Sequence, residues 1–326
     1  MKKSRGAGKL LPLITISIPV YNEEENIGPL YNRLKRLADK MKGSARFEFL
    51  FTDNNSTDNT WSAINSLAGI DDRIRGIRFS RNFGFQRSIY ANYMHARGDA
   101  IMQIDADLQD PPELLENFYE LWKQGYHIVY GIRRKRKEIF LINFIRRVGY
   151  WFIDVLSEHP VPQNAGDFRL IDRKIIEVLK NHRGTDFYLR GIIAGMGFRQ
   201  IGVEYDREAR VTGKSKFNAF QLFRLGYTAV LNHSTLPLRF ASMAGILLLG
   251  ISMLGGIYYL FLKISNPSLP EGLASVHILV LFSMGFQSLL IGIIGEYLRR
   301  VYMTVRSEPI AIIQDTVNVD KKKEGL

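Results

Sequence analysis

The chain has 326 residues, no cysteine and a formal net charge of +12. Without cysteine it can have no disulfide, no thiolate metal ligand and no cysteine nucleophile. A hydrophobic content of 46% beside 23% charged residues excludes a disordered chain. The excess of basic residues indicates an anionic partner, which could be a nucleic acid, a phosphorylated substrate or an anionic membrane surface.

Strand and helix patterns alternate over the first 240 residues, which predicts an α/β fold with a parallel sheet. The basic Met1–Lys9 followed by the apolar Leu10–Val20 resembles a signal peptide, but Pro12, Pro19 and the acidic Glu23–Glu25 interrupt the pattern. We therefore predict a flexible tail over residues 1–12, followed by a first strand. Short apolar runs predict the strands, and the segments between or after them predict helices. The predicted strands are Ile14–Ile18, Phe47–Thr52, Ala100–Ile104, Tyr126–Gly131 and Gln200–Tyr205, and the predicted helices are Asn59–Ala68 and Pro112–Lys123.

Acidic residues follow three of these strands, at the carboxyl ends where such a sheet binds its ligands. Asp105 and Asp107 come directly after a buried strand, where two unpaired carboxylates would repel each other. A divalent cation relieves that repulsion, and oxygen ligands of this kind suit Mg²⁺ or Mn²⁺, with phosphate oxygens completing the shell. The alternatives are a solvated turn for this pair and a turn or helix-cap role for Asp53, after the second strand.

Two basic clusters predict a site for a lipid phosphate at a membrane face. The first begins with the run Arg133–Lys137 and continues into an interfacial amphipathic helix near 138–157. The second surrounds Gly213. Because guanidinium groups bind phosphate through two hydrogen bonds, we expect Arg133 and Arg210 to be ligands, with Lys216 as a point charge beside them. The alternative is a solvated charge run or a general attraction to anionic lipids.

Two segments without charge, 240–262 and the greater part of 276–298, are long enough as helices to span about 30 Å of hydrocarbon. We predict a transmembrane hairpin; the alternative is a pair of buried helices in a soluble core. Basic residues flank the hairpin, so the positive-inside rule places the catalytic domain and both termini in the cytoplasm, at the cell's inner membrane. Small residues spaced four apart, such as Ser288 and Gly292, suit close packing in the hairpin or a homo-oligomer. The predicted regions are 13–217 for the cytoplasmic domain, 218–239 for a juxtamembrane helix, 240–298 for the hairpin and 299–326 for a cytoplasmic C-terminal tail.

A set of motifs in a fixed order resembles one known family. They are IPVYNEEEN, FTDNNSTD, SRNFGFQ, GDAIMQIDADLQDPPE, AGDFRLIDR, TGKSKF and GEYLRRVY. Together they resemble the inverting glycosyltransferases of family two, especially the branch that glycosylates polyprenyl phosphates and includes dolichol-phosphate mannose synthase. The two-span tail and the GEYL motif are most similar to the bactoprenol glucosyltransferase type.

The resemblance implies a GT-A fold, a Rossmann-like domain that binds a nucleotide-sugar. It implies that Asp167 is catalytic, as a base or as an orienting carboxylate, and that Asp105 is catalytic through the metal. Many relatives have Asp-Asp-Gly-Ser where this chain has Asp53-Asn54-Asn55-Ser56; Asn54 can still hydrogen-bond and Asn55 tolerates a left-handed turn. The implied ligands are Pro19, Tyr21, Glu23, Phe51, Asp53 and Ala106 for the nucleotide-sugar, and Asp105, Asp107 and Gln109 for the metal and diphosphate.

The resemblance therefore implies transfer of a hexose, with glucose from UDP-glucose as the leading donor, to undecaprenyl or a related polyprenyl phosphate with inversion. GDP-mannose and a UDP-amino-pentose are alternative donors. A catalytically dead membrane scaffold is a remote alternative, which the intact Asp105, Asp107 and Gln109 disfavour. Nearly all the net positive charge lies before residue 240, beside the amphipathic and apolar segments. That location favours a membrane surface and a lipid phosphate, and we expect no nucleic-acid partner.

Overall fold

The computed structural model describes residues 11–134, 165–181, 189–207, 272–305 and 309–319, together with single residues and short stretches between 243 and 266. Several predictions concern segments outside the described residues: most of the tail 1–12, the amphipathic helix near 138–157, the region 218–239, and the ligands Arg210 and Lys216. The chain divides into two compact units, one of which combines the first part of the chain with its C-terminal segment.

The first unit is built on one eight-stranded sheet with helices packed against it. Its strands are β1 (Leu13–Val20), β2 (Arg46–Asp53), β3 (Ile74–Phe79), β4 (Ala100–Gln103), β5 (Ile128–Arg133), β6 (Ala165–Asp172), β7 (Gln200–Tyr205) and β8 (Ile313–Val317). Its helices are α1 (Glu24–Lys40), α2 (Thr60–Ala68), α3 (Phe85–His95), α4 (Leu115–Lys123), α5 (Arg173–Leu179) and α6 (Leu189–Gly195). A short 3-10 turn, Pro112–Leu114, precedes α4.

The spatial order of the strands is β7-β5-β6-β4-β1-β2-β3-β8. β1, β2, β3 and β4 are parallel, as predicted, but β6 runs antiparallel to β4 and β5, and β8 runs antiparallel to β3. The prediction of a wholly parallel sheet is therefore wrong, and the sheet is mixed. Strand direction depends on where long connections return the chain, which local apolar patterns do not report.

The central strands are buried on both faces, which explains why they are mostly apolar; Thr15, Ser17 and Glu48 are buried polar exceptions. Phe49 of β2 belongs to the same apolar cluster as Leu34 of α1. The next residue, Leu50, belongs to a different cluster, with Ala91 of α3. Successive side chains of a strand point to opposite faces, so helices cover both sides of the sheet and its carboxyl edge is left to form the site.

β8 comes from the segment 299–326, for which the sequence predicts a tail. Its residues pair with β3 in the register Gly76 to Val317 and Ile77 to Thr316. β8 is a short edge strand with two exposed polar residues, so it carries no apolar pattern that marks a strand. Part of the segment predicted as a C-terminal tail therefore forms an edge strand of this sheet.

Asn318 fixes the end of β8, and its replacement by alanine is expected to loosen that strand. Its backbone is left-handed, with φ of 54°, and its Nδ2 donates to the carbonyl oxygens of Ile74 at 3.0 Å and Ala68 at 3.3 Å. Losing these hydrogen bonds should cost about 1 kcal/mol and speed amide exchange in β8. Hydrogen-exchange mass spectrometry measures this, with the exposed Gln314→Ala as control; equal exchange in both variants would contradict the assignment.

The described part of the second unit consists mainly of α7 (Leu273–Val305), with several exposed apolar side chains such as Leu279 and Ile291. Near its C-terminal end, Arg299 pairs with Glu296 at 2.7 Å. Taken over the described residues alone, no helix is both long and apolar enough to cross a membrane.

Candidate active site

A cleft opens at the carboxyl edge of the sheet where β1 lies between β4 and β2. The chain leaves β1 for β2 on one side and later reaches β4 on the other, so this is the point where the strand order reverses. In open α/β sheets ligands bind at such a point. The cleft has a volume of about 330 Å³. Its lining consists of Pro19, Val20, Tyr21, Glu23, Asn54, Asn82, Phe85, Ser88, Asp105, Ala106 and Asp107.

The structure brings together most of the residues predicted for the nucleotide-sugar and metal. The loop after β1 supplies Tyr21 and Glu23, and the loop after β4 supplies Asp105 and Asp107, all on one cleft. Tyr21 is 46% exposed, so its ring is accessible for stacking on a planar ligand such as a nucleobase. Sequence spacing alone does not reveal that these loops meet; the parallel pairing of β1 with β4 does.

Three predicted ligands do not line the cleft. Phe51 is fully buried in the apolar core, and Gln109 is 8% exposed. Asp53 is fully buried, and its Oδ1 accepts hydrogen bonds from Ser56 N at 2.9 Å and Ser56 Oγ at 2.5 Å. Burial raises the pKa of Asp53. These contacts are those of a turn residue, the alternative role for Asp53, and direct nucleotide contacts of these three side chains stay predictions.

Asn54 and Asn82 form a part of the cleft wall that sequence reasoning missed. Asn54 Nδ2 donates to Asn82 Oδ1 at 2.9 Å, and Asn54 Oδ1 accepts from Phe83 N at 2.8 Å. Asn55 has φ of 62°, which confirms the left-handed turn expected where many relatives have glycine. Asn82 and Phe85 belong to the SRNFGFQ motif, which was recognised in the sequence without a role for its individual residues.

The loop after β4 concentrates negative charge at the cleft. Burial, together with the nearby carboxylates of Asp110, Asp107 and Asp167, raises the pKa of Asp105 to about 7, against the opposing charge of Arg133. Between these carboxylates, Leu108 adopts φ of 60°, a costly conformation for a bulky residue. A loop held in this way, with crowded carboxylates, is typical of a functional site.

Asp105 and Asp107 fit a divalent cation that binds together with a diphosphate. Among the described residues, the His, Asp and Glu side chains form no group of three or more that could hold a metal ion alone. Mg²⁺ is usually held by one or two carboxylates plus substrate phosphates rather than by a protein cage. A cation beside Asp105 would also offset the repulsion that raises its pKa, so the donor set and its electrostatics suit such an ion.

Asp167 lies on β6 among positively charged groups. Its Oδ1 is 3.3 Å from Arg169 Nη2, and its Oδ2 is 3.2 Å from Arg190 Nη2. Gln86 Nε2, on α3, donates to Oδ2 at 3.3 Å. Arg169 and Asp167 share the AGDFRLIDR motif, whereas Gln86 and Arg190 lie far away in sequence, and nothing in the sequence pointed to them.

Arg133, the only predicted lipid-phosphate ligand within the described residues, is the last residue of β5. Its Nη2 lies 3.4 Å from Asp110 Oδ2, and its Nε lies 3.3 Å from the Tyr205 hydroxyl oxygen. Its side chain is 33% exposed, so it is accessible in part to solvent. The structure therefore places a positive group near the acidic loop that contains Asp105.

Comparison with known proteins agrees with this geometry. The family described as glycosyl transferase family 2 matches residues 15–179. The chain is 37% identical over 310 residues to an uncharacterized glycosyltransferase, YkcC of Bacillus subtilis (strain 168), covering 95% of each. It is 35% identical over 306 residues to the bactoprenol glucosyl transferase of Shigella phage SfII, covering 92% of this chain and 97% of that protein.

A solved mannosyltransferase from Pyrobaculum calidifontis, in complex with GDP-Man and Mn²⁺, aligns with a TM-score of 0.49 at 18% identity, covering 92% of this chain and 89% of that one. With its mixed α/β sheet of the GT-A type and the near full-length similarity to these relatives, the chain belongs to glycosyl transferase family 2 and is a glycosyltransferase.

Proposed function

We propose that the protein transfers a hexose, first of all glucose from UDP-glucose, to a polyprenyl phosphate such as undecaprenyl phosphate, with inversion at the anomeric carbon. The observation that carries this proposal is the similarity to bactoprenol glucosyl transferases, which covers 92% of this chain at 35% identity. The cleft supports it, because an acidic loop suited to a metal and diphosphate lies near an arginine suited to a second phosphate.

The acceptor in this reaction needs little help from a base. A phosphate monoester has its second pKa near ~6, so it is mostly a dianion at neutral pH and its oxygen is already nucleophilic. That oxygen attacks the anomeric carbon opposite the nucleoside diphosphate; the new carbon–oxygen bond forms as the bond to the diphosphate breaks, and the diphosphate leaves with the electron pair. Donors with α-linked sugars then give β-linked products.

The residues in and around the cleft have separate roles in this reaction. Asp105 and Asp107 would hold Mg²⁺ or Mn²⁺, which when bound neutralises charge on the departing diphosphate. Tyr21 stacks on the base, and Arg133 attracts the acceptor phosphate. Asp167, held between Arg169 and Arg190, orients these cationic groups rather than taking a proton, because the dianionic acceptor has no proton to lose.

Transfer to lipid is tested with membranes that contain the protein, undecaprenyl phosphate and a panel of labelled nucleotide-sugars. We expect labelled lipid from UDP-glucose, dependent on a divalent cation and absent with Asp107→Asn. Asp72→Asn, an exposed acidic residue outside the cleft lining, is the matched control and should retain activity. Labelling from GDP-mannose or a UDP-amino-pentose would instead change the assigned donor, and labelling from none would contradict the proposal.

We also propose that segments 240–262 and 276–298 form a membrane hairpin, with the catalytic domain and both termini in the cytoplasm. The uncharged segments and their basic flanks support this, as do the exposed apolar side chains of α7. Because the chain has no cysteine, single cysteines can be labelled without background.

Ser268→Cys, in the predicted loop between the two segments, should react with a membrane-impermeant maleimide in intact cells. Ser4→Cys, in the N-terminal tail, should react only after the cells are permeabilised. The mass shift of the labelled protein on a gel is the measurement. Equal labelling of both cysteines in intact cells would contradict the proposed orientation.

A further inference from the structure

Asp110 is a buried carboxylate that the reaction described above leaves without a role. It lies in the loop after β4 and is 1% exposed. Its Oδ1 accepts a hydrogen bond from the Tyr205 hydroxyl at 2.6 Å, and Arg207 Nε lies 3.3 Å from the same oxygen. Its Oδ2 lies 3.4 Å from Arg133 Nη2. One carboxylate therefore joins a phenol and two guanidinium groups.

Strands β5 and β7 place Arg133 and Tyr205 side by side. They are the last residues of the parallel strands β5 and β7 and are paired in register. Two glycines leave room for their side chains: a Cβ at Gly131 would lie 2.6 Å from Tyr205 Cε1, and one at Gly166 would lie 2.8 Å from Arg133 Nη2. A larger residue at either position would force a neighbouring side chain to shift, and at Gly166 that side chain is Arg133.

A buried ion pair of this kind is a weak means of stabilising a fold, because desolvation of the charges offsets their attraction. The ion pair does, however, link two parts of the site. Asp110 is on the same loop as Asp105, and Arg133 is close enough to oppose the raised pKa of Asp105. Asp110 therefore connects the loop proposed to hold the donor diphosphate with the strand that carries the proposed acceptor ligand.

We propose that Asp110 and Tyr205 are positioning residues that fix the guanidinium group of Arg133 where the acceptor phosphate binds. The inference rests on the proposed function, in which Arg133 binds the polyprenyl phosphate. An arginine with two of its nitrogens held in place loses little freedom when its exposed side binds phosphate. Without these contacts the same side chain would still carry its charge but would meet the phosphate in many orientations.

Tyr205→Phe tests this by removing one hydroxyl and leaving every charge in place. We expect the KM for undecaprenyl phosphate to rise about fivefold to tenfold, as for the net loss of one ordinary hydrogen bond, while the KM for the nucleotide-sugar stays the same. Gly166→Ala, which changes no polar group but displaces Arg133, should shift the same constant in the same direction. The matched control is Tyr130→Phe, on the neighbouring part of β5, with both constants unchanged.

A double-mutant cycle separates positioning from general damage. In an Arg133→Ala background, Tyr205→Phe should have no further effect on the acceptor KM, because the residue through which it acts is gone. Additive effects, or equal rises in donor and acceptor KM, would overturn the positioning role. An unchanged acceptor KM in both Tyr205→Phe and Gly166→Ala would overturn the positioning role but leave the proposed function intact. If the wild-type enzyme transfers no sugar to polyprenyl phosphate, the proposed function is overturned as well.

Discussion

Replacing Asp105 with asparagine is expected to abolish sugar transfer and at the same time stabilise the metal-free protein. Transfer should fall about 10²-fold to 10³-fold, the loss seen when a group that stabilises developing charge is removed. The stability gain arises because the wild-type carboxylate is crowded by Asp107, Asp110 and Asp167 and is held away from water. Asparagine has nearly the same shape and carries no charge, so it removes the repulsion.

The gain in stability should depend on pH in a defined direction. The folded-state pKa of Asp105 is raised from 3.8 to about 7, so the folded protein holds this proton more tightly than the unfolded chain. The wild type therefore loses stability as pH rises from about 4 to 7, and Asp105→Asn does not share that loss. Above pH ~7 the variant should be more stable by roughly 1–3 kcal/mol, an estimate reduced for the partial exposure of the site.

Thermal unfolding in detergent with a chelator, at about pH 5 and about pH 8, measures this difference. The gap between variant and wild type should be small at the lower pH and wide at the higher one. Asp72→Asn, which is exposed, should show no such widening. A gap that is the same at both values would mean that Asp105 is not the strained carboxylate, and full transfer activity in Asp105→Asn would remove its proposed metal role.

Replacing Asp167 with asparagine should have the second large effect, on both turnover and folding. Arg169 is only 4% exposed, and with Arg190 it would lose its counter-charge. Breaking a buried pair in this way typically costs about 3–5 kcal/mol. Turnover should fall at least ~100-fold, because the cationic groups that Asp167 orients are misplaced, while the KM for the donor changes little, since Asp167 does not line the cleft.

The pH dependence of the remaining activity distinguishes the two roles weighed for Asp167. If it orients cationic groups, as we propose, the profile of kcat against pH keeps its shape and only its height falls. If it acts as a base, the acidic limb of the profile disappears. Arg190→Gln in the Asp167→Asn background should recover part of the lost stability but not the turnover, and Asp315→Asn, an exposed acidic residue, is the control.

The part of the site that could be predicted from sequence depends on residues that are close together in the chain. β1, β2 and β4 are mostly apolar because both of their faces are buried, and Asp105 and Asp107 follow shortly after the end of β4. Their place on the cleft follows from the rule that ligands gather at the carboxyl ends of parallel strands. The left-handed turn at Asn55 also followed from local chemistry.

The rest depends on contacts between distant segments. β6 interleaves Asp167 and Arg169 with apolar residues; Arg169 contacts Asp167 on the same strand, and Asp167 also contacts Arg190 on α6. Gln86 on α3 donates a hydrogen bond to Asp167, and Tyr205 at the end of β7 donates one to Asp110. No periodicity in one segment reports a hydrogen bond made to another, so these contacts had to be seen in the folded chain.

The return of the chain to form β8 limits the path that it can take through a membrane. β8 is hydrogen-bonded to β3 within the sheet that also contains β1 and β7, so the strands up to Tyr205 and the strand that begins at Ile313 lie on the same side of any bilayer that the chain crosses. A chain that leaves and re-enters the same side must cross an even number of times. One or three crossings between these residues are incompatible with the sheet, and the two crossings of a hairpin satisfy it.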